Sequence, residues 1–288
     1  MIYCLYHDDM DGRCSAAIVK KYATEEQTVG FRGFPMNYDS PLPLSGIPIL
    51  ETLYVVDFSI PDPDTFNQVA EQYEVYWIDH HQTAIEKHPE LNNTLPGLRC
   101  VGTAACQLTW DYLYGTEAPW IVRYVADRDV WKWEFGGMTA CVHYGLQLHD
   151  TAPENRIWES LFSGEALPDL LREGETVAVF KNQHDKEVIQ AAGYEGFFNG
   201  MSAYFCNMPL ADSTLFGPLV DNYPLLIAYY FIGRGWRISL YTSRPELDVS
   251  EIAKQYGGGG HKQAAGFFTK AIPSFVKEGN EEERTTKC

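Results

Sequence analysis

Four short apolar runs in the first half of the chain each end in acidic residues or histidines. Strands of a parallel sheet read as such runs, because both of their faces are buried and their carboxyl ends open into a crevice. The fourth run is more helical in pattern than the others. The runs and the residues that follow them are 2–6 with His7, Asp8, Asp9 and Asp11; 53–56 with Asp57; 75–78 with Asp79, His80 and His81; and 124–126 with Asp127 and Asp129.

Stretches of helical pattern alternate with these runs over the first 80 residues. Such alternation predicts right-handed crossovers and a parallel sheet. Two segments, 35–48 and 89–97, are predicted to be loops because turn-forming residues interrupt them. The predicted strands are 2–6, 28–32, 53–57 and 74–78, and the predicted helices are 13–23, 63–72, 102–114 with Thr103 as N-cap, 121–126, 141–148 and, with interruptions, 155–192.

The last third of the chain is rich in aromatic and β-branched residues separated by turn signals, which predicts a smaller mixed unit. Its predicted elements are strands 194–198, 201–206, 225–231, 236–242 and 264–268 and a helix over 249–255. The fold class is therefore α/β, with an N-terminal parallel-sheet domain flanked by helices and a second mixed α/β domain. The predicted division is 1–150, a helical linker over 151–192, the second domain over 193–273, and a disordered charged tail over 274–288.

Composition excludes several classes of protein. A net charge of −17 argues against a broad footprint on duplex DNA, although bound cations could still attract a small anionic substrate. Seven cysteines without a CxxC pair favour reduced thiols over a disulfide framework or a zinc site. The chain shows no charged leader and no apolar run near the ~20 residues that span a membrane. A cytoplasmic protein without a membrane partner is expected.

The polar residues at the ends of the runs suit a metal site. One imidazole and two or three carboxylates within residues 7–11 are the ligands that hard divalent cations prefer. For that segment alone, a solvated acidic loop is an equal alternative. Recurrence of the pattern after four apolar runs favours a shared metal centre, because a solvated carboxylate needs no buried strand before it.

The same residues resemble the motifs of a known superfamily. His7-x-Asp9-x-Asp11-Gly12, Asp57, Asp79-His80-His81 and Asp127 are similar to the four motifs of the DHH phosphoesterases. The segment GGGGHKQAAG, residues 257–266, resembles the signature of the DHHA1 domain that accompanies them. These motifs together span residues 7–266, so the resemblance covers most of the chain.

The resemblance implies a centre of two divalent cations, usually Mn²⁺, with Mg²⁺ also compatible with nitrogen and oxygen ligands. Such a pair activates a water and stabilises in-line displacement at phosphorus. A purely structural metal site is the alternative. The implied ligands are His7 and Asp9 for one cation, Asp11, His80 and Asp127 for the other, and Asp57 as a catalytic bridge, with Asp129 as the alternative to Asp127.

Other residues are implied to bind or act on the substrate. His81 would contact the phosphate as a catalytic residue, and Asp79 would orient the tripeptide. Glycines let a backbone approach a phosphate closely, and a histidine beside them can assist the leaving group. The alternatives are a flexible linker and a solvated turn arginine. The residues implied in the second domain, which would face the metals, are Gly258, Gly259, Gly260, the catalytic His261 and Arg244.

Within the superfamily, the length and the second domain favour the compact type that cleaves short linear oligonucleotides or dinucleotides. RecJ-like exonucleases are longer, and membrane-bound cyclic-dinucleotide enzymes add further segments. A RecJ-like exonuclease, a cyclic-dinucleotide phosphodiesterase and an exopolyphosphatase remain alternatives. A catalytically silent nucleotide-binding regulator is the alternative outside enzymes, and complete ligand positions argue against it. The oligomeric state is open, a homodimer included.

Overall fold

The computed structural model describes residues 1–38, 40–271 and 273, so the predicted disordered tail, 274–288, lies outside the described residues. The chain divides into two compact units, Met1–Ala178 and Val179–Cys288. Each unit has its own sheet, which confirms the predicted α/β class with an N-terminal parallel sheet and a second mixed sheet. None of the helices in the described ranges is both long and apolar enough to cross a membrane.

The first unit contains a four-stranded parallel sheet in the order β2–β1–β3–β4. The direction of winding reverses between β1 and β3, and in open α/β sheets ligands bind at the carboxyl ends of strands at such a switch point. The elements are β1 (Ile2–His7), α1 (Met10–Glu25), β2 (Phe31–Met36), η1 (Leu44–Gly46), β3 (Thr52–Val56), α2 (Pro63–Gln72), β4 (Glu74–Ile78), α3 (Gln82–Lys87), α4 (Pro89–Thr94), α5 (Ala105–Leu113), α6 (Trp120–Asp129), α7 (Gly137–Leu146), α8 (Ile157–Phe162) and α9 (Leu167–Ala192).

Both faces of this sheet are buried, as its apolar strands predict. Alternate residues of β1 enter different cores: Leu5 packs with residues of α2, whereas Cys4 packs with residues of α1. Both side chains are fully buried. Ala16 keeps α1 small where it covers the sheet. Burial on both sides fixes the register of β1 and therefore the place where its polar carboxyl end emerges.

One predicted strand and both predicted loops differ from the structure, and the loop predicted over 35–48 contains the end of β2 and η1. The second strand is Phe31–Met36 and not 28–32, and it contains Pro35. This proline is tolerated because β2 is an edge strand that pairs only with β1, so its missing N–H breaks no ladder between strands. The predicted loop over 89–97 contains α4, which starts with Pro89 at its first position, where a helix has no use for the missing N–H.

The segment predicted as a linker contributes to the core of the first unit. Trp158 and Leu161 of α8 and Leu170 of α9 are buried among residues of α5, α6 and α7. The unit therefore extends past the predicted boundary at residue 150, because these apolar side chains complete its helical layer. The division between the units falls within α9, which is continuous.

The second unit, described by itself, has a six-stranded mixed sheet in the order β5–β6–β7–β8–β10–β9. Only β6 and β7 pair in parallel. Helix α11 contributes Val249, Ile252 and Ala253 to the core on one face of the sheet. The elements are β5 (Gly193–Phe198), β6 (Met201–Asn207), η2 (Ser213–Phe216), α10 (Leu219–Asn222), β7 (Leu225–Phe231), β8 (Trp236–Tyr241), α11 (Val249–Gln255), β9 (Gly259–Gly260) and β10 (Ala264–Thr269).

Candidate metal centre

The turn between β1 and α1 positions the first two candidate ligands. His7 is the last residue of β1, and Asp9 is the N-cap of α1, with its Oδ1 accepting a hydrogen bond from the Gly12 N–H at 3.0 Å. The other carboxylate oxygen of Asp9 lies 2.7 Å from Nδ1 of His7. The neighbouring Asp8 turns away and accepts two hydrogen bonds from Arg13. One strand end thus supplies one imidazole and one carboxylate to the same place.

Asp57 follows β3 and is a buried carboxylate, at 1% exposure. Its backbone has a φ of +51°, a left-handed conformation that aspartate adopts more readily than bulkier residues. Its Oδ1 lies 3.2 Å from Nε2 of His80, and its Oδ2 lies 3.9 Å from Nδ1 of His7. Neither oxygen accepts a well-formed hydrogen bond from the residues that the structure describes.

The tripeptide after β4 is organised by its aspartate. One carboxylate oxygen of Asp79 accepts hydrogen bonds from the backbone N–H groups of His80 and His81 at 2.7 and 3.1 Å. The same oxygen lies 2.7 Å from Nδ1 of His81. This arrangement fixes both imidazoles beside Asp57, since His80 reaches Oδ1 of Asp57 at 3.2 Å and His81 reaches it at 3.8 Å.

Asp11 has a role that its motif did not predict. Its two carboxylate oxygens accept hydrogen bonds from the N–H groups of Ala105 and Cys106, at 2.7 and 2.8 Å. It therefore caps α5 from another helix, whereas Thr103, the predicted N-cap, does not: the N-cap position is Ala104. Asp11 still faces the centre, with Oδ2 3.8 Å from Nε2 of His80.

The two aspartates of α6 have different surroundings. Asp127 is buried, and its carboxylate accepts hydrogen bonds from the N–H groups of Glu134 and Phe135 and from the Thr139 hydroxyl. Asp129 instead has its Oδ2 3.5 Å from Nε2 of His80. Asp129 therefore lies in the cluster, whereas Asp127 binds the loop after α6. This favours Asp129 over Asp127 as the ligand, the alternative that the sequence left open.

Donor atoms of this cluster form three overlapping groups, each with its atoms within 4.8 Å of one another. Asp57 belongs to two of them. All donors are imidazole nitrogens and carboxylate oxygens, and the buried Oδ2 of Asp129, like both oxygens of Asp57, has no hydrogen-bond partner among the described residues. The residues present therefore fit hard divalent cations. The groups are His7, Asp9 and Asp57; Asp57, His80 and His81; and Asp11, His80 and Asp129.

The charges of the cluster shift its pKa values. Burial, together with the nearby carboxylates of Asp11 and Asp9, raises the pKa of Asp57 well above its usual range. The pKa of Asp129 is raised for the same reasons. Burial would lower the pKa of His81, but the hydrogen bond with Asp79 and the charges of the nearby carboxylates together outweigh it, and the pKa is raised. A bound cation would relieve the repulsion between these crowded carboxylates.

The glycines of the second unit are partly explained by packing. A Cβ on Gly258 would lie 2.1 Å from the Gly266 carbonyl oxygen, and a Cβ on Gly260 would lie 2.6 Å from the Ala264 oxygen. Gly257 has a φ of +77°. Gly259 is exposed, has nothing within 4 Å of an added Cβ and has no left-handed φ, so the fold alone does not account for it.

Two other predicted substrate residues lie in the second unit. His261 is exposed and opens the turn to β10, with its backbone paired to Ala264. Arg244 donates a hydrogen bond to the carbonyl oxygen of Asp221 at 2.6 Å, so part of its guanidinium already supports α10. That this unit faces the metals, and that these side chains bind phosphate, stay predictions.

The sequence pattern predicted neither Tyr38, which lies beside the centre, nor two strained tryptophans after α6. Tyr38 lies two residues after β2, with its ring centroid 5.8 Å from that of His7. Trp131 and Trp133 follow Asp129, and both have left-handed backbones, with φ of +57° and +56°. Such conformations are costly for bulky residues and cluster at functional sites. These residues lie in a proline-rich loop and at a helix end, where hydrophobic periodicity predicts no functional position.

The comparison with protein families identifies the N-terminal part. Residues 1–127 match the DHH family, N-terminal domain. This match, over somewhat less than half of the chain, confirms the resemblance for the motifs that lie within those residues. The match includes β1 to β4 and ends within α6, so the assignment of the second unit to the DHHA1 type stays a prediction.

The chain is also similar to one curated protein and to two solved structures. An uncharacterized protein of Acanthamoeba polyphaga mimivirus is 24% identical over 208 residues, which are 68% of this chain and 48% of that protein. The chain thus spans about half the length of this curated relative. The pGpG-specific phosphodiesterase PggH of Vibrio cholerae is 11% identical, with a TM-score of 0.54, and the match covers 98% of this chain and 96% of that one.

An exopolyphosphatase-related protein of Bacteroides fragilis is 10% identical, with a TM-score of 0.55, and the match covers 98% of this chain and 90% of that one. Likenesses at such low identity show a common fold. Because they cover both units of the chain, the common fold includes the second, mixed sheet.

Proposed function

We propose that this protein is a divalent-cation-dependent phosphoesterase that hydrolyses short linear oligonucleotides or dinucleotides. The observation that carries the proposal is Asp57, a buried carboxylate without well-formed hydrogen bonds from the described residues that is shared by two groups of potential ligands. A buried charge of this kind is strongly unfavourable unless it is paired or coordinates a metal. The match of residues 1–127 to the DHH family, N-terminal domain, supports the same conclusion.

The proposed ligands follow the geometry. His7 and Asp9 would hold one cation, Asp57 would contact both, and the second would be held by Asp11, His80 and Asp129. Two bound cations, with Mn²⁺ the proposed metal and Mg²⁺ also suitable, supply charge stabilisation at a phosphoryl group and a water of lowered pKa. Asp11 already accepts two N–H bonds, and its remaining lone pairs would complete the set.

His81 is proposed to act directly on the substrate. Asp79 holds its ring through Nδ1 at 2.7 Å and favours its protonated form. A cationic imidazole near Asp57 would offset negative charge on a bound phosphate and donate a hydrogen bond to it. Because the backbone bonds of Asp79 also fix the tripeptide, the position of His81 would be set before substrate binds.

Gly259, His261 and Arg244 are proposed to bind phosphate groups of the substrate in the second unit. Gly259 supports this proposal because neither its backbone conformation nor its neighbours require a glycine. Close approach of a ligand to the backbone is the remaining use for a residue without a side chain. His261 would assist the leaving group, as its exposed position after the glycines allows.

The ligand role of Asp129 is tested by a pair of variants. Asp129→Asn should lose one cation and lower hydrolysis more than ~100-fold, while the thermal midpoint of the metal-free chain stays the same or rises. Asp127→Asn should instead lower that midpoint, since it weakens a buried cap on two N–H groups and a hydroxyl, a loss of about 1–3 kcal/mol. Calorimetric Mn²⁺ titration and thermal unfolding of both variants distinguish the two roles. Loss of a cation only in Asp127→Asn would reverse the assignment.

The substrate class is tested by kinetics on a ladder of 5′-labelled oligonucleotides, with polyphosphate and cyclic dinucleotides in parallel. A net charge of −17 offers a long strand little countercharge, so additional nucleotides should add little affinity. Substrates of two to five nucleotides should therefore show a higher kcat/KM than a strand of about 20. A preference for the long strand would support a RecJ-like exonuclease. A preference for polyphosphate would support the activity named for the Bacteroides fragilis relative.

A further inference from the structure

Tyr38 stands at the carboxyl edge of the first sheet with about half of its surface open. Its ring centroid lies 5.8 Å from that of His7 and 5.6 Å from that of Phe58. Phe58 directly follows Asp57 and is 1% exposed, whereas Tyr38 is 48% exposed. One part of the Tyr38 ring therefore rests on the wall of the metal centre, and the rest is accessible from outside.

Core packing does not explain this position. Tyr73, in the same unit, shows what a packing tyrosine looks like: it is 7% exposed, and its hydroxyl donates to the Ile47 carbonyl oxygen at 3.2 Å. The Tyr38 hydroxyl has no acceptor among the residues that the structure describes. A half-exposed ring that packs at a tilt against His7, a proposed metal ligand, keeps apolar surface in water, which is unfavourable unless a ligand covers it.

The chemistry of a suitable ligand follows from the neighbours. The Tyr38 ring is close enough to His7 that the sugar and base attached to a phosphate bound beside His7 and Asp57 could reach it. An aromatic ring beside a phosphate site is suited to stack with a nucleobase, since every base has a π-face. A polyphosphate chain has no such face. The carboxylates of the cluster, by contrast, do not distinguish a nucleotide from a polyphosphate.

We infer that Tyr38 stacks on a nucleobase of the substrate and thereby selects nucleotides over inorganic polyphosphates. This inference rests on the proposed function, because it assigns the substrate class of the same centre. Tyr38 would then be a specificity-determining residue for binding, with no part in the reaction itself. The ring, and not the hydroxyl, would carry the effect.

The experiment is calorimetric titration of the full chain, supplied with Mn²⁺, with 5′-AMP and with ribose 5-phosphate. These probes share a phosphate and differ by the base. The wild type should bind 5′-AMP more tightly. Tyr38→Ala should weaken 5′-AMP binding about fivefold or more and leave ribose 5-phosphate within about twofold, as expected for loss of one stacked base. Tyr38→Phe keeps the ring and should behave as the wild type.

Phe197→Ala is the matched control, because Phe197 is also an exposed aromatic residue, 70% accessible, and lies in the second unit. It should leave both affinities unchanged. Equal affinity of the wild type for the two probes, no binding of 5′-AMP, or an equal loss for both probes in Tyr38→Ala would overturn the inference. Equal affinities of the wild type would overturn the inference even if Tyr38→Ala does not fold.

Failure of the proposed function gives a different result. Base-dependent binding that is lost in Tyr38→Ala, without hydrolysis of any phosphodiester in the ladder, would reject the enzyme and keep the role of Tyr38. Hydrolysis with no preference for the base in binding would reject the role of Tyr38 and keep the enzyme.

Discussion

Replacing Asp57 by Asn is expected to abolish hydrolysis and, at the same time, to make the metal-free protein more stable. Loss of an outer partner of a metal ligand typically costs ~10–100-fold in activity, so loss of a shared ligand should cost more than ~100-fold. Stability should rise because Asp57 is a buried carboxylate near Asp11, Asp9 and Asp129. Removing ~1 kcal/mol of this repulsion would raise the thermal midpoint by about 2–4 °C.

The raised pKa of Asp57 determines how the stability of the metal-free chain changes with pH. Burial and neighbouring carboxylates raise the pKa of Asp57 in the folded chain, so the folded state holds the proton more tightly than the unfolded state does. Stability of the metal-free wild type should therefore fall as the pH rises from the ordinary carboxyl range through the raised pKa. The advantage of Asp57→Asn should be largest above that pH and vanish in acid.

Thermal unfolding in chelator, from acid to neutral pH, and hydrolysis with Mn²⁺ measure both parts of the prediction. Asp62→Asn is the matched control, because Asp62 is an exposed N-cap of α2 that binds Thr65 and lies outside the cluster. It should retain both activity and stability, because asparagine caps a helix about as well as aspartate does. Near-normal kcat in Asp57→Asn with two cations bound would exclude Asp57 as the shared ligand.

Gly12→Ala is expected to damage both the fold and the centre. A Cβ at this position would lie 2.0 Å from the carbonyl oxygen of His7 and 2.8 Å from its carbonyl carbon. These are backbone atoms of β1, so α1 must move away from the strand. Overpacking of a core costs ~1–3 kcal/mol and occasionally more, and a contact this short belongs at the upper end. The thermal midpoint should fall by roughly 6–12 °C.

Activity should fall with stability, because Gly12 sits between the ligands. The displaced turn carries His7 and Asp9, and a shift of ~1 Å in a reacting group can cost ~100-fold in rate. Gly137→Ala is the control: nothing lies within 4 Å of an added Cβ there, and alanine favours the helix that it begins. A normal midpoint and normal kcat/KM in Gly12→Ala would show that the strand and helix are not held at this distance.

Much of the centre could be predicted because the ends of buried strands are set by simple periodicity. His7, Asp57 and His80 each lie at or just after the carboxyl end of an apolar strand, and parallel strands bring these ends to one edge. The expected clustering of these residues is what the structure shows. The family match over residues 1–127 agrees with it.

The remaining assignments depend on contacts between distant parts of the chain. Asp127 and Asp129 are two positions apart on α6, so they face different sides of the helix, and periodicity alone does not say which side faces His80. Asp11 caps α5 across more than 90 residues of sequence. Tyr38 follows an edge strand that local pattern placed several residues too early. Sequence patterns report on neighbours along the chain, and these positions are determined by tertiary packing.

Whether the cluster around Asp57 holds catalytic cations is tested most directly by hydrolysis of a 5′-labelled dinucleotide with the wild-type chain, before and after chelation. The protein is stripped of metal, its metal content is determined by elemental analysis, and Mn²⁺ is then added back. We expect no hydrolysis by the stripped chain and full recovery as about two Mn²⁺ bind per chain. Undiminished hydrolysis in excess chelator, with no metal retained, would contradict the metal centre and the activity proposed for it.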